Sequence, residues 1–339
     1  MVFVAGCSSV KTVHKHTAET SGANIDYRVI TYIHGDSDYL FHDESSRPVQ
    51  ADENALQKVQ NSAQKAKNGE YFIFHQQEKK KTLWLFPRRN SKLYHYKNGE
   101  LVNQISYRSK PASESFFQTE TKLFHDITNQ QSLELNRTVF LYYGHEIPLY
   151  SGKSYHSTRP EVNVNTASFA GGIREFLSGD DRFDLVALST CNNGSPAMIH
   201  HLQDVSDVVL ASPQNLHLSH LDTESISLLE TDPDVSTMKL ADSIAENTFD
   251  RLTETIHTAV TISVFDMEKM KSEIDDLYRQ TEEFVDRENP NLNRENIDCS
   301  KLPFFDSKQI DGVLTYFQPA MFGRNAGDSK HSGLGCKGL

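Results

Sequence analysis

The sequence predicts an α/β fold: a mostly parallel sheet flanked by helices on both faces, with an antiparallel hairpin insertion and a helical C-terminal subdomain. Three features carry that prediction. Apolar runs of strand length, rich in β-branched and aromatic residues, recur through the first two thirds of the chain. Amphipathic stretches separate them, and strand, helix, strand in alternation means parallel strands covered by their crossover helices. Turn formers close the runs at their carboxyl ends, the edge where open α/β sheets bind ligands.

The elements come in this order. Arg28 to Ile33 reads as a strand, stopped by Gly35, Asp36, Ser37 and Asp38. Ala55, Leu56, Val59, Ala63 and Ala66 recur at helical spacing, with Gly69 as the expected C-terminal cap. Tyr71 to Phe74 is the next strand. Thr82 to Tyr107 reads as antiparallel, Asn98 and Gly99 supplying a hairpin turn that needs positive φ. Phe116, Phe117, Leu123, Phe124 and Ile127 form a helical face before the strand Thr138 to Tyr143. A second face, Phe169, Ile173, Phe176 and Leu177, closed by Gly179, precedes the strand Leu185 to Leu188, and a short helix then leads to Val208 to Ala211.

Beyond Pro213 the pattern changes. Met238, Ala241, Ile244, Ala245 and Phe249 make an amphipathic helix, and Thr258 to Val264 an apolar strand. Asp266 is the expected N-cap of a helix carrying Met267, Met270, Ile274, Leu277, Tyr278 and Phe284, and Gly312 to Phe317 is a late strand. The polar, glycine-rich stretch after Gly327 is expected to be disordered. The division is therefore 1–25 as leader remnant and tether, 26–235 as core, 236–322 as an extension of the same unit, and 323–339 as tail.

A net charge of −12 argues against a nucleic-acid partner, since phosphate binding needs a basic surface. No run of about 18 apolar residues is present to span a membrane. Cys7, Cys191, Cys299 and Cys336 lie far apart with no zinc-like spacing, so neither a metal site nor a disulfide framework is expected. Val4, Ala5, Gly6 and Cys7 resemble a bacterial lipobox without the basic and most of the apolar region of a signal peptide. The expectation is lipidation at Cys7, with Ser8 to Asn24 as the tether, and a place in the bacterial cell envelope, at the outer membrane, the cell surface or its periplasmic side.

Cys191 falls at the carboxyl end of a buried strand and is followed by Asn192, Asn193 and Gly194. On residue type alone a lone cysteine there is more often a small core hydrophobe than a nucleophile. The strand Thr138 to Tyr143 changes the balance, because it delivers Gly144 and His145 to the same sheet edge. A thiol beside an imidazole is the minimum set for nucleophilic acyl transfer. Other groupings read as ordinary. His145 and Glu146 lack the second histidine of a zinc peptidase motif; His200, His201, His217 and His220 lack ligand spacing; Asp36 and Asp38 suit a turn.

Four segments in order resemble the clostripain family of cysteine peptidases, in the clan that includes gingipains, legumains and caspases: TYIHGDSDYL, YYGHE, FDLVALSTCNNG and TISVFDMEKMKSEIDDL. The resemblance implies a caspase-like sheet, a peptide or protein substrate, His145 and Cys191 as catalytic dyad, and the backbone N–H groups of Cys191 and Glu146 as oxyanion donors. It implies no cofactor for the chemistry, calcium dependence at an unlocated site, and self-cleavage between histidine and cysteine, where Ser151 to Asn165 holds Lys153 and Arg159. The chain departs from the family twice. Glu146 replaces a glycine, placing a carboxylate that raises the thiol pKa or blocks substrate. Ser189 replaces the aspartate that pairs a basic substrate residue, leaving Asp222 or Glu224 to take that role unless they are ordinary solvated loop charges. The reading is a monomeric cysteine endopeptidase, against an impaired caspase-like scaffold or an inert lipoprotein with a buried Cys191.

Overall fold

A computed structural model describes residues 11–14, 25–35, 40–42, 47–77, 81–82, 86–87, 90–109, 116–129, 135–150, 154–156, 159–216, 220–288, 296–305, 311–323 and 326–337. Its first half contains β1 (Lys11–His14), β2 (Tyr27–His34), β3 (Leu40–His42), β4 (Pro48–Gln50), α1 (Ala51–Lys65), β5 (Gly69–Gln76), β6 (Lys81–Thr82), β7 (Phe86–Pro87), β8 (Ser91–Lys97), β9 (Glu100–Tyr107), α2 (Gln118–Thr128) and β10 (Arg137–Tyr143). Then come β11 (Ser154–His156), β12 (Arg159–Asn163), α3 (Thr166–Arg174), β13 (Phe183–Ser189), α4 (Pro196–Leu202) and β14 (Ser206–Ala211). The last third holds α5 (Leu228–Thr231), α6 (Thr237–Thr255), β15 (Val260–Asp266), α7 (Met267–Glu288), β16 (Asn296–Asp298), β17 (Val313–Gln318) and β18 (Gly335–Lys337).

One sheet of ten strands, ordered β1-β9-β8-β5-β2-β10-β13-β14-β15-β17, organises the chain. Its five central strands, β5, β2, β10, β13 and β14, are parallel; the strands on either side of them are antiparallel. The central strands are apolar on both faces because both are covered. Ile30, Phe140, Tyr142, Val186 and Leu188 pack under α2, α3, α4 and α7. Val29, Ile33, Leu141, Leu185 and Ala187 pack under α1 and α6.

The Asn98–Gly99 turn forms as expected, with φ of 50° and 83°, but its hairpin lengthens the main sheet. Gly69 is not a helix cap: α1 ends at Lys65 with Ala66 extended, and Gly69 opens β5. Asp266 does cap α7, accepting from the Lys269 N–H at 3.2 Å.

Two expectations for the C-terminal region are overturned. Cys299 and Cys336, 37 residues apart in sequence, form a disulfide. The tail is ordered across residues 326–337: β18 pairs with β16, and Leu334 and Cys336 are buried. Pairing of cysteines so far apart depends on chain reversal, which local spacing does not encode. Among the described residues no helix is long and apolar enough to cross a membrane. Cys7, Asp36, Asp38 and His217 lie outside the described residues.

Candidate active site

Strands β10 and β13 are parallel neighbours, with Tyr143 opposite Ser189. His145 and Cys191 each come two residues after that register pair, so the sheet delivers both to the same edge at the same level. Side chains and backbone then tie the two departing loops together. The Gly144 N–H donates to the Ser189 carbonyl at 3.3 Å. Asn193, fully buried, accepts from the Ile147 N–H at 2.9 Å and donates to the Ile147 carbonyl at 3.0 Å. That paired bond reproduces a rung of a β-ladder with one side chain. Asn192 donates to the Glu146 carboxylate at 2.7 Å.

The Cys191 loop has a second set of anchors. Asn192 adopts φ 58°, in the left-handed region that asparagine tolerates better than most residues, and its N–H donates to Gln214 at 2.8 Å. Gly194 donates to Ser212 at 2.7 Å; a Cβ at this position would stand 2.6 Å from the Pro213 nitrogen. The loop then enters α4 through Ser195 as N-cap and Pro196 as the first helical residue.

Cys191 is a free, half-buried thiol. Burial first, and the Glu146 carboxylate second, push it up to about 11, the backbone of Leu216 offsetting part of the rise. An imidazolium or a helix N-terminus lowers a thiol pKa, but neither dominates here. Of the two effects considered for Glu146, its charge contributes to the rise. His145 is half-buried, its ring 6.2 Å from that of His34 and 6.1 Å from that of Tyr155. The Tyr155 hydroxyl accepts from the His145 N–H at 2.8 Å.

Ser189 is buried at the end of β13. Asp222 is no solvated loop charge: it accepts from the N–H groups of Glu224 and Ser225 and from the Ser225 hydroxyl, closing the turn into the 3-10 helix Glu224–Ser227. With Glu224, Lys58 and Arg251 it lines a cavity of about 200 Å³ beside α1, which neither Ser189 nor Cys191 lines. Lys153 lies outside the described residues; Arg159 opens β12 opposite His156, at the tip of the β11–β12 hairpin. His200 accounts for its own sequence signal by pairing with Asp275 at 2.7 Å and stacking on Tyr278, which holds α4 to α7. No group of three or more His, Cys, Asp or Glu side chains is arranged for a metal ion among the described residues.

Sequence reasoning missed Asn193 and Tyr155. Asn193 reads as a turn former, and its bonds to Ile147 exist only across the sheet. Tyr155 left a faint signal, as the one aromatic residue in the polar run Ser151 to Asn165.

Residues 160–316 match the family model described as the clostripain family. Two solved structures share the fold. A secreted C11 cysteine protease from Bacteroides thetaiotaomicron, "iotapain", superposes with a TM-score of 0.52 at 14% identity, over 78% of this chain and 72% of that one. An inactive zymogen C11 protease from Parabacteroides distasonis does so with a TM-score of 0.57 at 14% identity, over 93% and 92%. At such identity the likeness is one of fold. No curated protein matches the chain. Through the matched segment the chain is similar to the clostripain family, and its sheet architecture has the fold of C11 cysteine proteases.

Proposed function

We propose that the chain is a cysteine endopeptidase in which Cys191 is the nucleophile and His145 its acid–base partner. The observation that carries this reading is their equal two-residue offset beyond a paired register on adjacent parallel strands. The Cys191 thiol gives its proton to His145, and the thiolate attacks the peptide carbonyl carbon. The tetrahedral intermediate collapses as the amine leaves with a proton from His145, forming a thioester, which water hydrolyses. The backbone N–H groups of Glu146 and Cys191 are the proposed oxyanion donors. The peptide unit carrying the Glu146 N–H lies between two committed neighbours, His145 bound to Tyr155 and Ile147 bound to Asn193.

The raised thiol pKa describes a resting form in which proton loss from Cys191 is opposed by burial and by Glu146. That observation also favours the second reading, an impaired caspase-like scaffold. Peptide hydrolysis by purified protein separates the two. Cys191→Ala is expected to abolish it, and His145→Ala to reduce it at least a hundredfold through loss of the proton donor. Full activity in Cys191→Ala would sink the assignment.

Specificity is set by Ser189, a neutral hydroxyl where the family carries an acid: tolerance of small or polar residues before the cut, without a strict Arg or Lys requirement. Cleavage after Arg159, at the hairpin tip, is the proposed maturation step. Among the described residues no group of three or more His, Cys, Asp or Glu side chains is arranged to hold a calcium ion. The Cys299–Cys336 disulfide supports an oxidising compartment, which agrees with a lipid anchor at Cys7 and a place in the cell envelope.

A further inference from the structure

The hairpin between the His145 strand and α3 carries one large buried side chain. Tyr155 is only 4% exposed although its neighbours in sequence are polar. A buried phenol needs partners for its hydroxyl, and Tyr155 finds them where β10 ends. Its oxygen accepts from the His145 N–H at 2.8 Å and shares a second hydrogen bond, also 2.8 Å, with the Tyr142 hydroxyl. The shared bond uses one of the two phenol protons, and either hydroxyl can be its donor. The ring packs edge-on against His34 at 4.7 Å and lies 6.1 Å from the His145 ring. Gly144 sits against both hydroxyls: a Cβ there would be 2.6 Å from each.

This arrangement constrains the peptide unit that matters most. The backbone from 144 to 147 leaves the strand and is hydrogen-bonded to Ser189 and Asn193, on either side of Cys191 in sequence. Tyr155 holds it at the His145 N–H, and Asn193 holds it at the N–H and carbonyl of Ile147. Between those two anchors lies the Glu146 N–H. Removing the Tyr155 hydroxyl releases one anchor and leaves the His145 amide without this acceptor, while Asn193 still holds the other. An oxyanion donor helps only when it is already aimed at the place where charge develops.

We propose that Tyr155 is a positioning residue of this active site, its hydroxyl holding the His145 backbone so that the imidazole and the Glu146 N–H face the carbonyl attacked by Cys191. The inference rests on the Cys191/His145 peptidase reading.

The test uses the full chain with Tyr155→Phe, which keeps the ring and its packing and deletes only the hydroxyl. Tyr142→Phe is the control, because it removes the other phenol oxygen and leaves the His145 N–H bond to Tyr155 in place. Steady-state peptide hydrolysis, thermal unfolding, and labelling of Cys191 by iodoacetamide and by a peptidyl ketone are measured on each. For Tyr155→Phe the expected result is a kcat lower by about ten- to a hundredfold, a misplacement-sized loss. KM stays within about twofold, because the anchor acts on the reacting centre and leaves remote substrate contacts intact. Ketone labelling falls in parallel with kcat and iodoacetamide labelling is unchanged, because only the ketone needs its carbonyl seated against the oxyanion donors. Tyr142→Phe should stay close to wild type in all four. A wild-type kcat in Tyr155→Phe overturns the proposal, as does an equal loss in both variants or a loss in which iodoacetamide labelling falls equally, since those indicate a packing effect. Turnover that survives Cys191→Ala, or a wild type that neither turns over nor reacts with the ketone, defeats the peptidase reading itself.

Discussion

Burial, and the Glu146 carboxylate after it, push the Cys191 thiol up to about 11, which favours the protonated form at neutral pH. Because the shift is upward, the thiolate fraction and the rate of alkylation should climb about tenfold per pH unit between pH 7 and 10. Glu146→Gln removes the charged contributor and leaves burial in place. It should raise the iodoacetamide rate at pH 7 severalfold and lower the apparent pKa, both read from a pH–rate profile of the purified protein; an unchanged profile would show that the carboxylate does not act on the thiol. The identity of Glu146 was legible in the sequence, which left open whether its carboxylate opposes ionisation of the thiol or blocks substrate. The state of Asp222 was not legible. Whether an acid in a loop is solvated or closes a buried turn depends on what packs over it, here the Thr248 hydroxyl, which accepts from the Asp222 N–H at 2.9 Å.

Among the elements, β2, β5 and β8 are joined by a buried charge cluster. Glu70, with a fully buried side chain, takes Arg28 at 2.6 Å, His95 at 2.8 Å and Lys97 at 3.3 Å. Burial by itself would raise its pKa; the His95 hydrogen bond and the charges of Arg28 and Lys97 outweigh it and hold the carboxyl at about 2. A depressed carboxyl pKa stabilises the fold above its ordinary value of 4.5, and the contribution is lost as pH falls from there toward 2. Glu70→Gln strands the cations and should cost about 3 kcal/mol at pH 7 in urea unfolding. The gap between variant and wild type should close on acidification, and a gap that does not change with pH would contradict this account. The β11–β12 hairpin invites a different measurement. A cut after Arg159 leaves Tyr155 on the His145 fragment, whereas a cut after Lys153 moves it to the Cys191 fragment. Intact-mass analysis of wild type beside Cys191→Ala should show two fragments in the first only, divided after Arg159.

At the scale of the molecule, the C-terminal segment returns to the sheet edge that carries His145 and Cys191. The Cys299–Cys336 bond and the pairing of β18 with β16 bring the Gly335 N–H to the Gly194 carbonyl at 2.8 Å, while the Gly333 carbonyl accepts from the Ser263 hydroxyl at 3.0 Å. The tail thus braces the loop that begins at Cys191. Closing a loop of 37 residues restricts the unfolded chain by about 4 kcal/mol in the loop-entropy account. The Cys299→Ser/Cys336→Ser double variant should therefore unfold at a clearly lower denaturant concentration than the oxidised wild type. Reduced wild type should match it; wild type that is equally stable with and without reductant would remove the disulfide from the stability account.

The sequence by itself determined the parallel core and the two strand ends that present His145 and Cys191. Those features rest on local periodicity: strands buried on both faces must be continuously apolar, and a strand that stops at turn formers exposes the residues just beyond its end. It also determined the identities of Glu146 and Ser189, which are read at counted positions. Tertiary structure alone decided the Cys299–Cys336 pairing, the ordered tail, the burial of Asp222 and the anchoring of the loops after His145 and Cys191 by Asn193 and Tyr155. Each of these joins residues brought together by chain reversal or by neighbouring strands, and side chains that meet only after the sheet has formed leave no periodicity to read.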